Sequence, residues 1–296
     1  MLLVTGLDGL LSSSMIRSIL DSGQDLVVLT RQCLDATSFP HPVIVADLLN
    51  PEQVKACLSG RKFEGVFHVA AAMDGVSDHQ VDHFGGYINS VMTNNLLEAL
   101  GPDRVDKFVL VSSIDVYDPA AFSSPVTETA KLKPATDYGK SKLESELRVQ
   151  KWSQQYGVPT LILRVTQVFG AKDRTRKFIP SVIRKIKSGL PVEVFGEGDD
   201  LRDYLYCHDF ARLAMQLYQK NADGIFNLAT GVSQSLNEVL EAIVRVSGKE
   251  VAVNYHQRTT QKLDYRFDNS KLIETVPDFK FTEMDRALHE TYVHLF

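Results

Sequence analysis

Short apolar runs alternate with longer amphipathic stretches through the first half of the chain. The short runs are rich in Val, Leu and Phe and are continuous rather than alternating, which is typical of strands buried on both faces of a parallel sheet. They predict strands at Leu2–Thr5, Leu26–Thr30, Val43–Ala46, Val66–Ala70, Phe108–Ser112 and Thr160–Arg164. The stretches between them predict helices at Leu10–Ser22, Pro51–Leu58, Val81–Leu100 and Thr136–Tyr156. This alternation predicts an α/β fold with a Rossmann-type, doubly wound parallel sheet.

The pattern changes after Arg164, where polar loops become more frequent. A helix is predicted at Phe178–Ser188, a strand at Ile225–Ala229 and a helix at Leu236–Val246. We interpret residues 1–165 as the main domain. Residues 166–296 form mainly a smaller C-terminal α/β lobe over the strand ends, where ligands of open α/β sheets bind, and some of its elements return to the main sheet.

Composition and charge narrow the function classes. The formal net charge of −5 over 296 residues argues against nucleic-acid binding. No apolar run reaches the ~18 residues of a membrane span, and the opening run is too short for a signal peptide. The three cysteines are scattered, which favours a reducing, cytoplasmic location. His79 and His83 are four residues apart but lack a third ligand, so no metal site is expected.

A glycine-containing turn lies between the first predicted strand and the first predicted helix. Gly6 permits a tight turn, and Gly9 lets the backbone approach a pyrophosphate at the helix N-terminus. Asp8 and Leu10 flank Gly9, and Ser12 occupies the position where a third Gly or Ala is usual. The turn therefore predicts a dinucleotide site. We expect four of its residues to contact the cofactor, namely Gly6, Asp8, Gly9 and Leu10.

Residues after the second and third strands bear on the choice of dinucleotide. An NAD-selective site usually has Asp or Glu after the second strand, but here Thr30 and Arg31 occupy that place and suit a 2′-phosphate. This favours NADP(H). The alternative is NAD(H), with Arg31 as a solvated loop residue. Asp47, followed by Leu48, is placed to meet the adenine amino group, and the alternative role of Asp47 is a helix N-cap before Pro51.

Tyr138 and Lys142 are four residues apart on a predicted helix and so share one face. A carbonyl reductase needs an acid for the carbonyl oxygen, and a Tyr hydroxyl serves when an ammonium lowers its pKa. Ser113 follows a predicted strand and offers a hydroxyl to hold a substrate carbonyl. These three side chains predict reversible hydride transfer between a carbonyl and an alcohol.

With these motifs in order, the chain resembles an extended short-chain dehydrogenase/reductase of the NAD-dependent epimerase/dehydratase group, which acts on nucleotide sugars. Asn89 matches an Asn in the long helix of the family. The matching segments are Val66–Ala71, Ser112–Tyr117, Leu163–Gly170, Phe195–Asp203, Gly224–Ala229 and Asp268–Lys271.

The resemblance implies roles for individual residues. Ser113, Tyr138 and Lys142 correspond to the catalytic triad, with Tyr138 and Lys142 also facing the cofactor. The matching strand implies that Ala70 and Ala71 line the cofactor site. The substrate would be a nucleoside diphosphate sugar held by the C-terminal lobe. The implied substrate-binding residues are Gln167, Arg202 and Arg258, with arginines suited to bidentate phosphate contacts.

Two positions depart from the usual substrate loop, since Gln167 replaces Asn and Val165 replaces Pro. A third departure concerns the reaction. The dehydratases of the family have a Thr-Asp-Glu run where this chain has Ser113, Ile114 and Asp115. Ile114 cannot protonate a leaving hydroxyl, which argues against a 4,6-dehydratase.

Three functions then remain open. Thr30 and Arg31 favour an NADPH-dependent 4-ketoreductase of a nucleoside diphosphate 4-keto-6-deoxy sugar. The nearest alternative is a nucleotide-sugar 4-epimerase, and another is a non-catalytic NADP(H)-binding regulatory or scaffold protein. The family resemblance also implies a homodimer, whose face would include Trp152 and the apolar residues of Val81–Leu100, although core burial explains these residues equally well.

Overall fold

The computed structural model of the chain describes residues 1–32, 39–72, 87–259 and 261–295. Its strands are β1 (Leu2–Thr5), β2 (Leu26–Thr30), β3 (Val43–Val45), β4 (Gly65–His68), β5 (Phe108–Ser113), β6 (Thr160–Val165), β7 (Gln167–Phe169), β8 (Val192–Phe195), β9 (Leu201–Tyr206), β10 (Gly224–Leu228), β11 (Ser233–Ser235) and β12 (Val253–His256). Its α-helices are α1 (Leu10–Asp21), α2 (Pro51–Leu58), α3 (Ile88–Leu100), α4 (Asp137–Tyr156), α5 (Phe178–Lys187), α6 (Cys207–Gln219), α7 (Leu236–Ser247), α8 (Ser270–Thr275) and α9 (Met284–His294). Single 3-10 turns occur at Pro102–Arg104, Ile114–Val116 and Pro119–Ser123.

Over the described residues, seven parallel strands form one sheet in the order β10-β6-β5-β4-β1-β2-β3. β2 and β3 follow one another on one side of β1. The chain then crosses to the other side of β1, where β4, β5, β6 and β10 follow in order. The strand order therefore reverses between β1 and β4. Neighbouring crossovers run to opposite sides at this point, which opens a crevice at the carboxyl ends of the two strands.

Helices cover both faces of the sheet, as the predicted doubly wound fold requires. Leu2 and Val4 of β1 enter the core that also contains residues of α1, α5, α6 and α7. Leu3 points to the opposite face, into the core shared with α2, α3 and α4. Because successive strand residues alternate between two buried faces, continuous apolar runs mark these strands.

The C-terminal half contains two small sheets as well as a return to the main one. β9 pairs with β7 in parallel and with β11 in antiparallel orientation, and β8 pairs with β12 in parallel. β10 lies beside β6 at the edge of the seven-stranded sheet, in the register Ile225 to Ile162. An element from the C-terminal half thus lies in the main sheet.

The predicted helices and strands of the first half are confirmed, with shifts at their ends. β4 begins at Gly65 and ends at His68. α3 begins at Ile88 with Tyr87 as its N-cap, and residues 81–86 of its predicted range lie outside the described residues. Thr136 caps α4 rather than belonging to it, because its hydroxyl accepts the backbone N–H of Gly139 at 3.0 Å. Trp152 is buried against Phe108, with ring centroids 6.1 Å apart, so core packing accounts for it.

Among the helices that the structure describes, none combines the length and apolar character that crossing a membrane requires. Of the three cysteines, Cys57 and Cys207 are free thiols, and Cys33 lies outside the described residues.

Candidate active site

The turn at Gly6 lies in the crevice between β1 and β4. Gly6 has a φ of +86°, in the left-handed region that favours glycine. A Cβ at Gly6 would lie 3.5 Å from the Cα of Ala70 and 3.5 Å from the Cβ of Ser12. The Thr5 hydroxyl accepts the backbone N–H groups of Val69 at 3.1 Å and Ala70 at 3.0 Å. These bonds join the two strand ends directly beneath the turn.

The N-terminus of α1 opens into the same crevice. Gly9 is the N-cap in an extended conformation, and Leu10 is the first helical residue. No described side chain caps this end, and its first turn contains no acidic residue. The first backbone N–H groups of α1 are therefore available to an anion, with the helix dipole adding to the attraction. Asp8 and Gly9 are exposed at the mouth. The site thus fits the pyrophosphate of a dinucleotide.

The predicted adenosine-side residues lie at the carboxyl ends of β2 and β3. Thr30 is buried at the last position of β2, and Arg31 is exposed just after it. Asp47 is exposed and its carboxylate accepts a backbone N–H two residues further on, whereas Leu48 is buried. Asn50 caps α2, so the alternative role of Asp47 as the helix cap is wrong.

The segment after β4 forms a wall of the crevice. Ala70 is half-buried and Ala71 is exposed. Asn89 of α3 holds this segment, since its amide accepts the N–H of Ala72 at 2.8 Å and donates to the carbonyl of Ala72 at 3.1 Å. The Ser141 hydroxyl of α4 in turn accepts the N–H of Asn89 at 2.9 Å. The wall is therefore linked to the helix that carries Tyr138 and Lys142.

The structure brings the three predicted catalytic side chains to the carboxyl end of β5. Lys142 is buried and donates to the carbonyl of Val111 at 2.9 Å, two residues before Ser113. Its Nζ lies 5.9 Å from the centre of the Tyr138 ring. Burial lowers the pKa of Lys142 to about 8, although the charge of Glu146 opposes this shift. The ammonium form thus predominates at neutral pH but is lost at a lower pH than for an ordinary lysine.

Gly139 allows the start of α4 to approach the 3-10 turn that follows Ser113. A Cβ at this position would collide with the backbone carbonyl oxygen of Asp115, so a larger residue would push the helix away. Ile114 is buried in an apolar cluster. The Asp115 side chain is solvent-accessible, yet the cleft walls desolvate it and raise the pKa of its carboxyl, against the effects of Lys177 and Ser113.

A buried ion pair fixes the middle of α4 to the sheet. Arg164 of β6 and Glu146 of α4 meet at 2.7 Å, and both side chains are 1% exposed. The Ser112 hydroxyl of β5 donates to the other Glu146 oxygen at 2.5 Å. Arg164 also donates to the Tyr117 hydroxyl at 3.1 Å, and Tyr117 donates to Asn227 of β10 at 2.6 Å. One network therefore joins α4 to β5, β6 and β10, one helical turn beyond Lys142.

His68 takes part in a second buried network rather than in acid–base chemistry. The Thr5 hydroxyl already accepts two backbone N–H groups, so it donates its own proton to His68 Nδ1, at 2.9 Å. Nε2 then carries the ring proton and donates to Thr93 at 3.1 Å. Burial, with a smaller effect of Lys142, lowers the pKa of His68 to about 3. The ring is therefore neutral, as expected for a packed strand histidine.

The predicted substrate residues belong to the C-terminal half. Gln167 begins β7 and is half-buried, whereas Arg202 lies in β9 and Arg258 follows β12. The two arginines converge, because Arg258 donates to Asp200 at 2.6 Å and Arg202 lies 3.8 Å from the same carboxylate. Arg258 also donates to Asp199 at 2.6 Å.

Several residues that shape the site were not predicted from the sequence. The sequence does contain a pattern that could have identified Glu146, since this residue follows Lys142 by four positions and so continues the same helix face. Gly139 could also have been identified, because a glycine inside a predicted helix is unusual. The partners of Arg258 could not have been identified, because ion pairs between residues nearly sixty positions apart leave no local pattern in the sequence.

His79 and His83 lie outside the described residues. Within residues 1–32, 39–72, 87–259 and 261–295, no group of three metal-ligating side chains comes together.

Comparison with known proteins bears on the identity of this site. The model of the NAD dependent epimerase/dehydratase family matches residues 2–229. dTDP-glucose 4,6-dehydratase of Neisseria meningitidis is 31% identical over 76% of this chain and 68% of its own length. The low-salt glycan biosynthesis protein Agl12 of Haloferax volcanii is 27% identical over 98% of each chain.

Solved structures share the fold along nearly the whole length. UDP-glucose 4-epimerase of Thermus thermophilus, solved in complex with NAD, has a TM-score of 0.81 and 26% identity over 99% of this chain and 98% of that one. A UDP-glucose 4-epimerase of Thermotoga maritima, at 21% identity and a TM-score of 0.85, covers 99% of this chain and 97% of its own, and shows the same fold. The family match over most of the chain and the site geometry agree, and this chain belongs to the NAD dependent epimerase/dehydratase family, a family of extended short-chain dehydrogenase/reductase enzymes.

Proposed function

We propose that this chain is an NADPH-dependent 4-ketoreductase of a nucleoside diphosphate 4-keto-6-deoxy sugar. The observation that carries the oxidoreductase assignment is the buried ammonium of Lys142 beneath the ring of Tyr138, next to Ser113 at the end of β5. The nucleotide-sugar substrate is supported by the names of the relatives and neighbours, and by the arginines of β9 and of the segment after β12.

The proposed roles follow from the chemistry of these groups. The reduced nicotinamide, when bound, supplies the hydride to the carbonyl carbon. Ser113 donates a hydrogen bond to the carbonyl oxygen, and Tyr138 transfers its hydroxyl proton to that oxygen as it becomes an alcohol. The Lys142 ammonium stabilises the phenolate that remains on Tyr138.

The proposed cofactor contacts are those of the crevice. The turn from Gly6 and the N-terminus of α1 at Gly9 and Leu10, flanked by Asp8, would hold the pyrophosphate, with Ala70 and Ala71 as one wall. Asp47 and Leu48 would border the adenine. Exposed Arg31, beside Thr30, would meet a 2′-phosphate, and this position is the basis for NADP(H) over NAD(H).

Dehydration is disfavoured despite the dehydratase names among the relatives. Ile114 is an apolar residue, 3% exposed and packed in a small core cluster. It offers no proton at the position where the family dehydratases have an Asp. Asp115 alone cannot act both as an acid for the leaving hydroxyl and as a base.

A 4-epimerase is the second candidate, favoured by the 26% identical UDP-glucose 4-epimerase that was solved with NAD. An epimerase returns the hydride to the opposite face of the same intermediate and so retains its cofactor, whereas a reductase must exchange it at every turnover. Cofactor exchange therefore separates the two functions.

We also propose a homodimer formed through α3 and α4. Leu147 and Tyr156 of α4 are 50% and 45% exposed, and Tyr87 before α3 is 50% exposed. Leu147 lies on the outward face of α4 and Tyr87 lies at the start of α3, where a second copy would cover them. Tyr156, at the end of α4, packs its ring against that of Trp152 and extends this surface.

The first prediction concerns cofactor exchange and product. Purified protein should bind NADPH reversibly and more tightly than NADH, and it should oxidise one NADPH for each 4-keto sugar nucleotide reduced. Calorimetry with both cofactors and a panel of UDP- and dTDP-linked sugars and their 4-keto derivatives measure this. Retained NAD together with interconversion of 4-hydroxyl epimers would instead establish the epimerase.

The second prediction concerns the proton donor. Tyr138→Phe removes the hydroxyl and should lower kcat by about 10²- to 10⁴-fold, the range typical of general acid catalysis. Cofactor affinity, measured by calorimetry, should stay within about twofold of the wild-type value because the ring and Lys142 remain. Wild-type turnover in this variant would refute the catalytic assignment.

The third prediction concerns the pH dependence of turnover. Burial places the pKa of Lys142 at about 8, so kcat/KM should fall as pH rises through that value and the ammonium is lost. Glu146 raises this pKa, and Glu146→Gln should therefore move the alkaline limb to lower pH. Glu144→Gln is the matched control, since Glu144 lies on the same helix in an exposed pair with Arg148, and its limb should match that of the wild type. An unmoved limb in folded Glu146→Gln would contradict the assignment.

A further inference from the structure

The two arginines proposed to bind the substrate diphosphate are already engaged by carboxylates. Arg258 donates to Asp199 and Asp200, each at 2.6 Å, and Lys262 donates to Asp199 at 2.7 Å. Arg202 lies 3.8 Å from Asp200. The cluster also contains Asp264, which lies 3.8 Å from Lys262. The three positive charges of the two arginines and Lys262 therefore equal the three negative charges of the aspartates, and the cluster has no net charge.

The loop that carries the two aspartates is built into this conformation. Gly196 has a φ of +90°, and a Cβ there would lie 2.7 Å from the Arg258 guanidinium, so glycine makes room for that arginine. Asn237 of α7 donates its backbone N–H to the carbonyl of Gly198 at 3.0 Å and its side chain to the carbonyl of Glu197 at 2.8 Å. These bonds hold the backbone of the loop, whereas the carboxylates themselves are held by the cations.

This cluster borders the catalytic cleft. The Arg202 guanidinium lies 4.6 Å above the ring of Tyr265. Tyr265 packs against the small apolar cluster that contains Ile114, the residue after Ser113. Burial raises the pKa of Tyr265, the charge of Asp115 adds to this shift, and Arg202 opposes it. A sugar nucleotide that reaches from Ser113 past Tyr265 would bring its diphosphate to these cations.

The two carboxylates differ in how easily they can be replaced. The side chain of Asp200 is 7% exposed and lies between both arginines, whereas that of Asp199 is 44% exposed. Arg258 and Lys262 are themselves 26% and 40% exposed. An incoming anion can therefore reach the Asp199 side of the cluster while Asp200 stays in place.

We propose that Asp199 is a displaceable carboxylate that occupies Arg258 and Lys262 until the diphosphate of the substrate replaces it. This inference rests on the proposed nucleotide-sugar function. It adds that Asp199 helps to set the affinity for the diphosphate of the substrate. Asp199 lowers the affinity for any phosphate, so ligands with a single phosphate compete poorly. A diphosphate, with more charge and more acceptor oxygens, forms enough charge-assisted hydrogen bonds to displace it.

The test compares Asp199→Asn with Glu197→Gln. Both remove one negative charge from the same loop, but Glu197 is exposed and lies two residues before the ion pairs. Calorimetric titration of the full chain with UDP and with dTDP should show about three- to fivefold tighter binding for Asp199→Asn, as expected for loss of a partly exposed competing charge. Binding by Asp199→Asn should also weaken more steeply with salt, because its cations begin less neutralised. Glu197→Gln should bind like the wild type.

Turnover of the sugar nucleotide provides a second readout. Asp199→Asn should lower KM and leave kcat unchanged, because Asp199 contacts Arg258 and Lys262 and has no proposed part in the hydride or proton transfer. Unchanged or weaker nucleotide binding by Asp199→Asn would overturn this inference, as would an equal gain in affinity in Glu197→Gln. Neither result would bear on the proposed reductase function, provided that the wild type reduces its substrate. Failure of the folded wild type and of both variants to bind either nucleotide would overturn the inference and the proposed function together.

Discussion

The buried ion pair between Arg164 and Glu146 is the interaction on which the geometry of the site depends. Both charges are removed from water, which is costly unless every remaining polar atom is satisfied. Ser112 and Tyr117 help to provide those hydrogen bonds. Since Ser112 lies in β5 and Arg164 lies in β6, α4 can satisfy its carboxylate only in one position over the sheet. That position places Lys142, one turn earlier, beside the carboxyl end of β5.

The crevice between β1 and β4 depends on a comparable set of polar contacts. Thr5 joins the ends of these strands and orients His68, and Asn89 links the wall after β4 to Ser141 of α4. The proposed cofactor side and the proposed catalytic side therefore share one helix. A displacement of α4 would disturb both sides at once, which explains why so many polar groups are buried around it.

Much of the fold could be predicted from the sequence because its signals are local. Continuous apolar runs such as Leu26–Thr30 marked the parallel strands, and Gly6 and Gly9 marked the first turn. Tyr138 and Lys142 share a face through helical spacing alone. The ends of elements were less accurate, as with Thr136, whose hydroxyl caps α4 although its position fits the helix pattern.

The remaining features depend on contacts that no local pattern contains. The pairing of Arg164 with Glu146 requires β6 and α4 to be packed together, and the engagement of Arg258 by Asp199 requires two loops of the C-terminal half to meet. The register of β10 beside β6 likewise became clear only in three dimensions. Family resemblance supplied candidate residues for substrate binding, but it did not predict that carboxylates already engage both arginines among them.

The most direct test of the central claim is the turnover of the Glu146→Leu/Arg164→Leu double variant. Replacing both members of a buried pair with apolar residues avoids an isolated charge and often has little effect on stability. If the pair positions α4 for catalysis, the variant should remain folded by circular dichroism, and its kcat should fall at least about tenfold, since small misplacements of catalytic groups are costly. Wild-type kcat in the folded double variant would contradict the account, because the pair would then contribute to packing alone.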